Sequence, residues 1–141
     1  MTEALTASRP KPRSLLRSAG ALLAGMVAVV ILSIATDAVL HSLKVFPPED
    51  RPMNDPGLNL LALAYRCIYG AAGSWIAARL APSAPMGHAL ALGGVGVLLS
   101  LAGVIVTWNM GLGPHWYPVA LVVTALPFAW LGGRLAIGAR R

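Results

Sequence analysis

The sequence predicts an all-α integral membrane protein, with four transmembrane helices in an antiparallel bundle and both termini cytoplasmic. Three observations predict it. Of 141 residues, 57% are hydrophobic and only 11% are charged, whereas a soluble domain carries charge on about a quarter of its residues. The apolar residues fall into four blocks, each reaching the roughly 20 residues that a bilayer core requires. Lysine and arginine crowd the ends of these blocks on one side, the pattern that sets orientation in a membrane.

Residues 1–13 are polar and basic, with Pro10 and Pro12 bracketing Lys11, and read as a disordered cytoplasmic tail. The first span is expected over about 14–43. Its basic start and the apolar run Ala19 to Ile34 resemble a signal peptide, but the run exceeds the about 7–15 residues of a signal h-region, so a retained helix is expected. Small residues recur every fourth position as Gly20, Ala24 and Ala28, and again as Ala21 and Gly25. Such rows let helices approach closely in lipid.

Val45 to Gly57 contains four prolines and cannot be helical. It is also the most acidic connection. A second span is expected over about 58–80, with Gly70, Ser74 and Ala78 as a small-residue row and Arg79 placed to snorkel at its end. Ala81 to Pro85 reads as a tight turn. The third span, about 86–108, is glycine-rich. Asn109 to Pro114 forms the next turn, and the fourth span covers about 115–137. Pro118 is tolerable in its first turn, whereas internal Pro127 should kink it and free a carbonyl near Val123. No convincing repeat relates the two halves.

Arg9, Lys11, Arg13, Arg17, Arg79, Arg134, Arg140 and Arg141 fall on one side, against Lys44 and Arg51 on the other. Both termini and the Pro82–Pro85 turn are therefore expected in the cytoplasm, with the protein multi-pass in its membrane. The net charge of +6 flanks apolar runs. That distribution suits the bilayer and anionic lipid headgroups, and no nucleic-acid partner is expected. Single Cys67 excludes an internal disulfide framework and reads as a buried thiol.

Asp37 is an acid inside a membrane run, and Arg66 is a base inside the next. Both lie roughly 9–12 Å below the same boundary at 1.5 Å per residue, so in consecutive antiparallel helices they can pair. The pair is either a structural lock or a proton or ion relay. His41 lies one turn after Asp37. Together with Tyr65, Tyr69, Trp108, Asn109 and His115 it delimits an expected outward-facing pocket, beside Trp116 and Tyr117 of an aromatic belt. Asp37, His41 and His115 are suitable metal-ligand types, but their spacing matches no metal motif, so no metal or other cofactor is expected. No GxSxG, HExxH or phosphate-binding glycine loop occurs, and no catalytic residue is assigned.

Ala64-Tyr65-Arg66, Ala78-Arg79-Leu80-Ala81-Pro82, Pro85-Met86-Gly87-His88-Ala89 and Trp130-Leu131-Gly132-Gly133-Arg134-Leu135 together resemble small four-helix bacterial inner-membrane proteins. The resemblance implies an architecture and brings no activity with it. A weaker similarity is to small multidrug transporters, which are shorter and carry a lone acid in helix one; here the acid has an arginine partner. The expected function is that of a small non-enzymatic membrane protein packing with itself or a membrane partner. The alternative is a proton-coupled small-molecule transporter using the buried Asp–Arg pair.

Overall fold

The computed structural model describes residues 12–139. Residues 1–11, which make up nearly all of the expected tail, lie outside the described residues, as do 140 and 141. The described residues form four helices and no strand: α1 (Pro12–Ser42), α2 (Pro56–Leu80), α3 (Pro85–Thr107) and α4 (Trp116–Gly138). All four are long and apolar enough to cross a membrane, which marks a multi-pass membrane protein.

Local chemistry sets the boundaries. α2 begins two residues before its expected start because Asp55 caps it. The Asp55 carboxylate accepts from the Gly57 amide at 2.7 Å and the Leu58 amide at 3.1 Å, with Pro56 between them. α1 ends in a Schellman turn. Lys44 N–H donates to His41 O and Val45 N–H to Leu40 O, with Lys44 at φ 58°, a left-handed position that usually falls to glycine. α4 runs unbroken through Pro127.

α2 is the hub and packs on all three other helices. α3 and α4 pack closely on each other. α1 rests on α2 and brushes α3, and no described residue of α1 contacts α4 at backbone distance. The close approaches are made by glycines. A Cβ at Gly73 would lie 2.7 Å from the Gly25 carbonyl oxygen, and one at Gly93 would lie 2.5 Å from the Ala129 methyl. Gly132 presses its backbone against Ala71 and Trp75, and Gly133 packs on Ala89 and Met86. The row Gly70–Ser74–Ala78 behaves differently from its expected packing role: Ser74 and Ala78 are buried, but a Cβ at Gly70 would meet nothing within 4 Å. Gly20 also has open space, whereas Ala21 and Gly25 of the adjacent row are buried.

The structure exposes a local repeat. Trp75-Ile76-Ala77-Ala78-Arg79-Leu80-Ala81 at the end of α2 matches Trp130-Leu131-Gly132-Gly133-Arg134-Leu135-Ala136 near the end of α4. In each, the arginine lies over the tryptophan one turn earlier, at 5.4 Å for Arg79 and 5.2 Å for Arg134. In lipid, an indole beneath a guanidinium forms an interfacial anchor.

At the other end, the proline-rich connection folds back over the helices. Phe46 is buried on Ala62 and Tyr65, with Leu40, Met53 and Tyr117 around them. Met53 N–H donates to Leu112 O at 2.9 Å, which ties this connection to the α3–α4 turn. Asn59, only 2% exposed, spends its amide N–H groups on Met53 O and Asp55 O, both at 2.8 Å. The connection is therefore an ordered cap above the polar residues of α1 and α2.

Candidate functional site

Asp37 and Arg66 meet across α1 and α2. Arg66 Nη2 lies 2.6 Å from Asp37 Oδ2. Tyr65, beside Arg66 on α2, donates its hydroxyl to the other carboxylate oxygen, Oδ1. Arg66 uses its second terminal nitrogen on α4, where Nη1 donates to the Tyr117 hydroxyl at 2.7 Å. One turn along α2, the Tyr69 hydroxyl pairs with Thr36 Oγ1 at 2.8 Å. Of the chain's three tyrosines, Tyr65 and Tyr117 bond the ion pair and Tyr69 bonds Thr36 beside it. Charge-assisted bonds of this kind are stronger than neutral ones, and low-dielectric surroundings strengthen them further.

Arg66 Nε is buried without a hydrogen-bond partner. The guanidinium also sits near the Tyr65 ring, with Cζ 5.8 Å from the centroid. Both charged side chains remain about one-third accessible, Arg66 at 33% and Asp37 at 29%. That accessibility opens onto two chambers. A vestibule of about 260 Å³ under the cap is lined by Asp37, His41, Glu49, Arg51, Arg66 and Tyr117. A second cavity, of about 250 Å³, lies among all four helices and has Arg66 in its wall. Arg66 therefore borders both chambers, with its counter-ion on the vestibule side.

The residues expected to form one pocket divide among several settings. His41 lines the vestibule, but its Nδ1 is bonded to Asp37 O at 2.8 Å and its ring meets Phe46 edge-on. Tyr65 is buried beneath Phe46, and its ring centroid is 5.7 Å from that of Tyr69. Trp108 and His115 line a separate hollow of about 410 Å³ beside the α3–α4 turn, their rings 4.3 Å apart, with His115 Nε2 bonded to Trp108 O. Asn109 is exposed and lines none of these chambers. The two histidines thus belong to different hollows, and among the described residues no group of three His, Cys, Asp or Glu side chains is placed to hold a metal.

Four contributors fall outside the sequence expectation: Thr36, Phe46, Asn59, and Tyr117 in its role as an Arg66 partner. Tyr117 reads from sequence as a belt residue because only the packing of α4 on α2 turns its hydroxyl inward. Asn59 carried a usable signal, as an amide in the first turn of an apolar helix. Chemically, the arrangement offers one proton-accepting carboxylate, one fixed cation, and phenols that can follow either.

No protein family, curated protein or solved structure compared with the chain matches it. The reading of the site therefore rests on its own chemistry.

Proposed function

We propose that the chain is a non-enzymatic, multi-pass protein of a bacterial inner membrane that moves a small solute in linkage with a proton taken up at Asp37. Its helices run antiparallel, both termini are cytoplasmic, and the capped end faces outward. The orientation is supported by the basic residues Arg79 and Arg134 at the end opposite the cap. The observation that carries the functional reading is the place of Arg66, which borders both the vestibule and the inner cavity while bound to Asp37.

A charged pair at such a place acts as a septum. With Asp37 ionised, the pair, Tyr65 and Tyr117 hold α1, α2 and α4 together. A proton on Asp37 removes the negative partner and frees Arg66 toward either chamber, and uncompensated charge in lipid favours a replacement anion or a rearrangement. The charged and titratable groups around Asp37 are Tyr65 and Arg66 of α2, Tyr117 of α4, His41 of its own helix, and Glu49 and Arg51 of the cap.

The second reading, packing with itself or a membrane partner, draws on the side of α1 that α4 leaves uncovered. The small residues support it less, because Gly25, Gly73, Gly93, Gly132 and Gly133 already serve contacts within the chain. In either reading the basic helix ends meet anionic headgroups, and nucleic acid is no partner.

The test is proton movement into proteoliposomes, followed by an internal pH dye, across a panel of organic anions, cations and neutral solutes. The wild type should show solute-dependent movement with at least one member, and Asp37→Asn should abolish it. Movement equal in both proteins for every solute would refute the reading.

A further inference from the structure

We infer that the inner cavity binds a single-chain amphiphile with a carboxylate head, the head at Arg66 and the chain running along α2 toward Ser74. This rests on Asp37–Arg66 being the working pair, and it names the substrate class of that site.

The cavity is apolar along its length, with Met26, Val29, Leu92, Leu99, Leu121 and Phe128 in its wall. Its one charged residue is Arg66. α1 and α4 both line the cavity but do not approach at backbone distance, so the lateral entrance of this proposal lies between them. For a membrane protein that entrance faces the acyl chains, so an amphiphile can enter tail and head together.

Size selects the occupant. At about 30 Å³ per water-sized group, about 250 Å³ accommodates roughly eight such groups. Arg66 and Ser74 are separated by roughly 12 Å along the helix axis. Both measures suit one chain of about eight to ten carbons. Gly70 provides the space: it lines the cavity, and a Cβ there would meet nothing within 4 Å. Small residues in this wall therefore keep a volume open, whereas Gly25 and Gly73 close a contact.

Charge selects the head. Arg66 lines the cavity with about one-third of its side chain accessible, and its terminal nitrogens serve Tyr117 and Asp37. A carboxylate head pairs with the accessible part of the Arg66 side chain and takes the place of Asp37 when Asp37 is protonated. Head binding and proton uptake are then reciprocally linked.

The probe is decanoate with a photoreactive diazirine at its terminal carbon, added to the full chain in lipid nanodiscs, with labelled residues mapped by mass spectrometry. Labelling is expected at Met26, Leu92 or Phe128. Excess decanoate should suppress it, and decyltrimethylammonium of the same length should not. Asp37→Asn should raise labelling about tenfold, as expected for a coupling of ordinary size. Gly70→Leu and Arg66→Gln should remove it. Labelling confined to exposed helix faces, or suppressed equally by the cation, overturns the inference. The wild-type competition needs no variant to fold. Failure here with Asp37-dependent proton movement intact would remove the substrate class alone; selective labelling without proton movement for any solute would keep the site and remove the transport reading.

Discussion

Tyr117 and Arg66, remote in sequence, are joined by a 2.7 Å hydrogen bond that fastens α4 to the Asp37 ion pair. Without it, Arg66 Nη1 would lose its acceptor on α4. Tyr117→Phe should therefore destabilise the protein by about 1.5–3 kcal/mol, the usual range for a hydrogen bond to a charged group. The midpoint of unfolding in detergent measures this directly. A variant as stable as the wild type would mean that water or lipid already serves Arg66.

Arg66→Leu leaves the Asp37 carboxylate uncompensated, and removing one partner of a buried pair costs about 3–5 kcal/mol. The accessibility of both side chains, about one-third, places the expected loss toward the lower end. The double change Asp37→Leu with Arg66→Leu should recover a large part of it. A double variant no more stable than the single one would show that the two charges are not energetically coupled.

Glycine positions separate contact from cavity. Gly73→Ala puts a methyl against the Gly25 carbonyl and the Val29 side chain, and overpacking of this kind costs about 1–3 kcal/mol. Gly70→Ala meets open space and gains helix propensity, so its stability should match or exceed that of the wild type. Thermal unfolding of the two variants should rank them in that order, and the opposite ranking would reverse the assignment of these two positions.

The helices were legible in sequence because apolar block length and prolines act locally, whereas the expected start of α2 falls two residues late because it leaves out the Asp55 cap. The proximity of Asp37 and Arg66 was also legible, since rise per residue gives depth without knowledge of the fold. The faces of the helices were not. A helix apolar all round has no amphipathic stripe to mark its inner side, so the rows containing Gly70 and Gly73 look equivalent. The inward turn of Tyr117 and the burial of Phe46 depend on contacts between distant segments, and periodicity does not encode these. The expected single pocket became separate hollows for the same reason, because His41 and His115 each bind a nearby backbone carbonyl.

The cap offers a kinetic test. Asn59 holds the connection through Met53 O and Asp55 O. Asn59→Ala should loosen it, and glutamyl endopeptidase added to the protein in detergent should then cut after Glu49 several-fold faster than in the wild type. Equal cleavage rates would show that the Met53–Leu112 tie is sufficient to hold the cap.

The central claim is that Asp37 takes up a proton and thereby releases Arg66. Infrared difference spectroscopy of the reconstituted protein, between neutral and acidic buffer, measures that event most directly. A protonated-carboxyl band that disappears in Asp37→Asn, accompanied by a change in the arginine guanidinium bands, is the expected result. An acid-induced spectrum identical in wild type and Asp37→Asn would contradict the claim and leave the ion pair as a fixed lock.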